Sequence, residues 1–167
     1  MAVNTFNETV IRTGVVSEDV EMCFDIWVRS LESRDGAVDA QAMAERMRST
    51  FLNPIIRFAV ATAPRVGFAF VESGRPNPTE ALLRFLAVEP DGEGSGIGRA
   101  LLADAIDNTA IGGFRSLVLE VRTNNEPAIE LYTRAGFEPS GAAVPHPRAG
   151  YPMQPYRLAL SGSAQSD

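Results

Sequence analysis

The chain has 167 residues, enough to bury a sizeable core in one domain, and its 15 basic against 21 acidic side chains give a net charge of −6. With no Lys/Arg-rich run, that balance argues against a nucleic-acid or anionic-membrane binder. One cysteine, Cys23, excludes an intramolecular disulfide, and with one histidine, His146, it does not make a zinc site. The mildly acidic balance suits a cationic amine substrate only weakly, and plain solubility is the leading reading. Met1 to Val10 lacks the cationic and apolar regions of a signal peptide, and no apolar run approaches the length of about 20 residues needed for a membrane span. A cytoplasmic protein is the expectation.

In chain order, Val10-Ile11-Arg12-Thr13 reads as a short strand. Ser17, followed by Glu18 and Asp19, reads as a helix start, and Val20, Cys23, Phe24 and Trp27 have the spacing of one buried face. On that face Cys23 reads as a structural thiol. Arg34-Asp35-Gly36 ends the helix, and Asp39 caps a second one that runs to about Phe51. Ile55–Val60 and Val66–Val71 are β-rich runs joined at Ala63-Pro64-Arg65, which reads as a hairpin turn. After a Pro/Gly/Asn loop from Ser73 to Thr79, Ala81 to Val88 is apolar apart from Arg84, as in a central strand. Pro90-Asp91-Gly92 stops it.

Gly96 to Thr109 reads as a helix with Gly98, Leu101, Leu102, Ala105 and Ile106 on one side. Gly112-Gly113 ends it, and Leu117 to Val121 is another strand. Asn125-Glu126-Pro127 opens a helix, with Ala128, Leu131, Tyr132 and Ala135 on one face and Gly136 as its stop. Phe137 onward and Tyr156 to Leu160 close the sheet around a Pro-rich loop, Val144 to Pro155. Ser161 to Asp167 reads as a frayed end. Hairpins mixed with strand–helix crossovers point to a mixed sheet covered by helices, in a single domain of residues 1–167.

The turn Gly94-Ser95-Gly96-Ile97-Gly98 sits between a strand and a helix. Glycines there let the backbone approach a phosphate, and the first helical N–H groups point at it. A dinucleotide fingerprint needs a third glycine where Arg99 or Leu101 stands, and a Walker A loop needs a lysine that does not follow. Neither pattern fits. A loop that merely caps the helix is the plain alternative.

The flanking text, Leu86-Ala87-Val88-Glu89-Pro90 before and Ile97-Gly98-Arg99-Ala100-Leu101-Leu102 after, resembles the GNAT superfamily of N-acetyltransferases. A second stretch, Leu119-Glu120-Val121 through Asn125 and Ala128 to Leu131-Tyr132 and Gly136-Phe137, resembles the same family independently. The resemblance runs from about Leu83 to Phe137, and outside it only the element order matches. It implies an α/β (α+β) fold, a mixed, mostly antiparallel sheet of about six to seven strands flanked by about four helices. It also implies acetyl-CoA as cosubstrate, with Leu86, Ala87, Val88, Glu93, Gly94, Ser95, Gly96, Ile97, Gly98, Arg99, Asn125 and Tyr132 around it. Backbone amides from Gly94 to Arg99 would hold the pyrophosphate. Glu93 departs from the family's usual Arg or Gln and adds a mildly repulsive carboxylate. No metal is implied, and a homodimer is compatible with it.

The implied reaction is transfer of the acetyl group to a primary amine, a small molecule or a peptide or protein N-terminus, by direct attack through a tetrahedral intermediate. Tyr132 resembles the family's acid for the leaving sulfur, and a phenol of pKa about 10 is protonated at neutral pH. The Val88 amide resembles the donor to the thioester carbonyl. Glu120 occupies the base position of ribosomal-protein alanine N-acetyltransferases, where apolar neighbours would desolvate it and raise its pKa. Glu80 and ordered water are the other candidates for the base. Asn125 would cap its helix and bond the cofactor arm. Trp27, Phe24 and Tyr151 could line the acceptor pocket, although a core role leads for the first two, and His146 and Arg148 on the Pro-rich loop read either as substrate contacts or as an exposed loop pair. A non-catalytic acyl-CoA sensor of the same fold and a dinucleotide-binding oxidoreductase are the competing readings.

Overall fold

Apolar residues at alternate positions assemble one sheet, and helices cover both of its faces. The computed structural model describes residues 8–73, 76–92, 94–145 and 151–161. Its elements are β1 (Val10–Thr13), α1 (Val16–Asp35), α2 (Ala40–Thr50), β2 (Ile55–Ala63), β3 (Gly67–Glu72), β4 (Glu80–Val88), α3 (Ile97–Ile111), β5 (Ser116–Arg122), α4 (Glu126–Arg134), β6 (Glu138–Pro139), β7 (Val144–Pro145) and β8 (Pro152–Ala159). The strands form an eight-stranded sheet in the order β1-β2-β3-β4-β5-β8-β6, with β7 on β8. Among the described residues only β4 and β5 pair in parallel; the other pairs are antiparallel.

Two cores flank this sheet. On one face Ile97, Leu101, Leu102 and Ala105 of α3 pack on Ala59, Ala69, Val71, Leu83, Leu117, Leu119 and Val121, joined by Phe137 and Tyr156. The face anticipated for α3 is therefore the buried one. Ala128, Leu131, Tyr132 and Ala135 of α4 pack against the same cluster. On the other face Cys23 and Ile26 of α1 and Met47 of α2 close over Phe58, Val60, Phe68 and Phe70 with Phe51. Burial pushes the Cys23 thiol up to about 12, as befits a structural residue.

Two expectations need correction. Ser17 does not cap α1. Val15 holds the N-cap position without a side-chain cap, and its N–H donates instead to Asp19 Oδ2 at 2.7 Å. Asp19 is the better acceptor because it is buried and takes both Arg12 guanidinium nitrogens at 2.7 Å, which holds its carboxyl below the usual range. The Pro-rich stretch 144–155 is also not all loop. Val144 and Pro145 pair with Met153 and Pro152, and prolines are tolerated because β7 is a two-residue edge rung. The other helix signals hold: Asp39 accepts the Ala42 N–H at 3.1 Å, and Gly36 and Gly136 follow α1 and α4 with positive φ. The expected frayed end falls, beyond Ser161, outside the described residues.

The feature that positions a site is the relation of β4 to β5. They pair at Glu80–Ser116, Ala81–Leu117 and Leu82–Val118 and no further, although β4 runs on to Val88 and β5 to Arg122. In the β3–β4 register Phe70 faces Phe85 while Val71 faces Leu83, so Arg84 is the extra residue of a bulge. Beyond that bulge β4 stays on β3, β5 stays on β8 along its whole length, and the two strands part.

Candidate active site

The parted edges carry unused backbone groups. The Glu89 N–H donates to the Val66 carbonyl at 3.0 Å, and Val88 stands opposite Gly67. That bond makes Val88–Gly67 a wide pair, whose own N–H and C=O point away from β3. The register keeps step from Phe85 to Val88, so Leu86 has the same orientation. Both residues turn backbone donors and acceptors into the opening toward β5. Ala87 points its backbone groups at β3 and its side chain into the second core, so of the three strand residues it alone offers the opening nothing.

The glycine turn closes one end of this opening. Gly94 and Gly96 have φ of 79° and 85°, a region that favours glycine, and Gly96 is the N-cap of α3. The first intrahelical bond runs from the Ala100 N–H to the Gly96 carbonyl at 3.1 Å. The amides of Ile97, Gly98 and Arg99 therefore head the helix without an intrahelical acceptor, the arrangement that binds anions. A Cβ on Gly98 would lie 3.8 Å from Leu131 Cδ2 and 3.9 Å from Val88 Cγ2. That contact brings the end of β4, the first turn of α3 and the middle of α4 to one point. Ser95 and Arg99 are exposed beside the turn; Glu93 lies outside the described residues.

Tyr132 and Glu120 flank the opening from opposite faces of the sheet. Tyr132 is partly buried against the α3-side core, with its ring edge-on to Phe137 at 5.8 Å. Burial pushes its phenol up to about 12. Leu119 and Val121 point into that core, so Glu120 between them points out of the other face. Its side chain is exposed, against the burial expected from its apolar strand neighbours. Asn125 caps α4, its Oδ1 accepting the Ala128 N–H at 3.4 Å.

The acceptor candidates divide. Trp27 packs edge-on against Phe85 at 5.0 Å, and with Phe24 it belongs to the rim of the α1–α2 core. Tyr151 is exposed, with the Arg122 guanidinium 5.8 Å from its ring centre. Glu80, at the start of β4, lines a cavity of about 280 Å³ with Leu82, Val118, Glu120, Pro155 and Arg157. His146 and Arg148 lie outside the described residues. Among the described residues no group of three or more His, Cys, Asp or Glu could hold a metal ion, and no helix is long and apolar enough to cross a membrane.

This geometry has a counterpart among known proteins, for residues 21–137 match the acetyltransferase (GNAT) family. The chain belongs to the GNAT acetyltransferase family. Among its relatives, an uncharacterized protein of Mycobacterium leprae is 31% identical over 136 residues, covering 81% of this chain and 36% of that protein. The [ribosomal protein bS18]-alanine N-acetyltransferase of Escherichia coli is 48% identical over 58 residues, 35% of this chain and 39% of that enzyme. The matches thus span less than half the length of these relatives. The structure of a Salmonella typhimurium acetyltransferase with acetyl-CoA superposes with a TM-score of 0.71 at 20% identity, over 96% of this chain and 98% of that one. At that identity the likeness speaks for the fold.

On this GNAT fold the sequence missed two groups. Arg122 is ion-paired with Asp35, at the end of α1, at 2.5 Å, which ties β5 to α1 beside Tyr151. Arg157 shares a cavity with Glu120. The alternation around Arg157 marks it as polar-facing, but which strand it would face depends on a register that no local signal sets.

Proposed function

We propose that the chain is an acetyl-CoA-dependent N-acetyltransferase, a single domain of residues 1–167, acting on a primary amine of a small molecule or a peptide or protein N-terminus. The observation that carries this reading is the β4–β5 opening, with the Leu86 and Val88 backbone groups turned into it and the glycine-headed α3 at its end. The helix-head amides of Ile97, Gly98 and Arg99 suit a pyrophosphate, and the open side of Gly94 and Gly96, where a Cβ would meet nothing within 4 Å, leaves room for its approach. Extended main chain at Leu86 and Val88 suits the amide groups of a pantetheine arm, which would bind as an additional strand edge. Asn125, at the head of α4, would bond that arm.

The chemistry follows from groups on either side. Glu120, directly or through water, takes a proton from the acceptor ammonium. The neutral nitrogen forms a C–N bond to the thioester carbon, and the Val88 N–H donates to the oxygen on which charge develops. As the C–S bond breaks, the Tyr132 hydroxyl gives its proton to the sulfur. Over the cycle the ammonium loses two protons, one reaching the sulfur through Tyr132 and the other reaching solvent through Glu120. Glu80 and water are the alternatives to Glu120. A cytoplasmic enzyme that needs no metal, with a homodimer as a compatible assembly, completes the reading.

The test is thermal denaturation with each cosubstrate. Acetyl-CoA should raise Tm by mass action, since it would bind only the folded state, while NAD and ATP at equal concentration should raise it far less. Stabilisation by NAD and not by acetyl-CoA would overturn the reading.

A further inference from the structure

We infer that Glu120 and Arg157 form a two-ended clamp for a zwitterionic acceptor: an amino acid, or a derivative of one that keeps its carboxylate. The inference rests on the acetyltransferase reading and narrows the acceptor. Register places the two residues. β5 and β8 pair with Val118 opposite Arg157 and Glu120 opposite Pro155, so Glu120 and Arg157 are diagonal neighbours on one face, on the order of 7–8 Å apart at their backbones. Leu119 and its partner Tyr156 point into the α3-side core, which assigns Glu120 and Arg157 to the opposite face, where both line the cavity of about 280 Å³.

Neither residue has a side-chain partner among the described residues. For Arg157 this is not for want of a nearby carboxylate, since Glu138 stands directly across from it on β6, yet Arg157 lines the cavity and Glu138 does not. A carboxylate and a guanidinium that share a cavity without pairing are both met by a ligand that bears both charges. In an α-amino acid the ammonium and carboxylate sit on one carbon, which suits that diagonal once two long side chains reach inward. The ammonium end then lies at Glu120, the proposed base, and the carboxylate end takes the planar fork of Arg157.

The rest of the lining agrees with such an occupant. Leu82 and Val118, 5% and 8% exposed, with Pro155 provide an apolar floor for a side chain. The volume of about 280 Å³ falls just below the range of roughly 300–1,000 Å³ for small-molecule sites, which suits a small occupant.

The experiment compares kcat/KM for a panel of free amino acids with that for the matching amino-acid amides, at saturating acetyl-CoA. The wild type should favour the acid of its preferred pair by about 10- to 100-fold, the worth of a charge-assisted bond. Arg157→Gln should bring the acid down to the level of its amide, chiefly through KM, and Arg157→Lys should restore part of the preference. Equal use of acids and amides by the wild type, or an unaltered preference in Arg157→Gln, overturns the clamp while leaving the acetyltransferase reading in place. If acetyl-CoA binds but no amine of either set accelerates CoA release, the clamp falls, while the acetyltransferase reading stands or falls on peptide and other small-molecule amines.

Discussion

The Tyr132 hydroxyl sits where an acid can keep its proton. With its phenol held near 12 by burial, it stays protonated well past neutrality, so kcat should not fall on the alkaline side below about pH 10, where an ordinary phenol begins to ionise. Tyr132→Phe removes the donor and leaves the ring contact with Phe137; it should cut kcat by about 100-fold with little change in acetyl-CoA affinity. Glu120→Gln should lower kcat/KM at pH 7 and recover in part at high pH, where more of the acceptor is already neutral. If Glu120→Gln retains wild-type kcat/KM at pH 7, the base is Glu80 or water. Gly98 offers a cleaner probe than Gly96, whose φ of 85° would strain any other residue. An added Cβ on Gly98 meets only ordinary contacts at 3.8 Å and beyond, so Gly98→Ala should fold. The bulkier Gly98→Val should weaken acetyl-CoA binding by blocking the backbone approach, and isothermal titration measures it directly. An unaltered Kd in folded Gly98→Val would move the pyrophosphate elsewhere.

At the scale of elements, ion pairs fix the helices over the sheet. Arg57 on β2 holds Asp104 on α3 at 2.8 and 3.0 Å, with both side chains under one fifth exposed. Asp104→Ala leaves that guanidinium partly buried without its carboxylate and should cost about 1–3 kcal/mol in denaturant unfolding. Asp19 does the same for α1 and β1. Because Arg12 lowers its folded pKa, its contribution is full above the unfolded value of about 3.9 and is lost as pH falls through the folded value. Asp19→Asn should therefore destabilise at pH 7 and flatten the acid limb of the stability curve; parallel acid limbs in the two proteins would contradict this. These pairs also mark where the sequence was legible. Asp39 and Asn125 could be read as caps because a cap acts within its own turn. Ser17 misled because Asp19 is made the better acceptor by Arg12, a residue on another element. The pairing of β7 with β8 was hidden for the same reason, since a two-residue rung carries no period of its own.

For the whole molecule, the strands and helices between Leu83 and Phe137 were readable because apolar spacing and turn residues agree there; the family match, over residues 21–137, reaches further upstream than that resemblance. The opening was not readable as an opening. It arises from the bulge at Arg84 and from β5 preferring β8 over the far half of β4, both relations between distant segments. At Glu120 an apolar strand suggested burial, but alternation turned that side chain out of the α3-side core to an exposed position. A cysteine with no exposed surface makes one global statement testable. Cys23 should resist alkylation in the native protein and react promptly once unfolded, and rapid native labelling would mean that the α1–α2 core opens.

If the β4–β5 opening transfers an acetyl group to an amine, release of CoA thiol from acetyl-CoA must depend on that amine, and a thiol assay reads this dependence. Acetyl-CoA alone should be consumed slowly, and an acceptable amine should accelerate thiol release, with one N-acetylated product formed per thiol. Tight acetyl-CoA binding with no acceleration by any amine in a broad panel would contradict it, and would make the protein an acyl-CoA sensor built on the same fold.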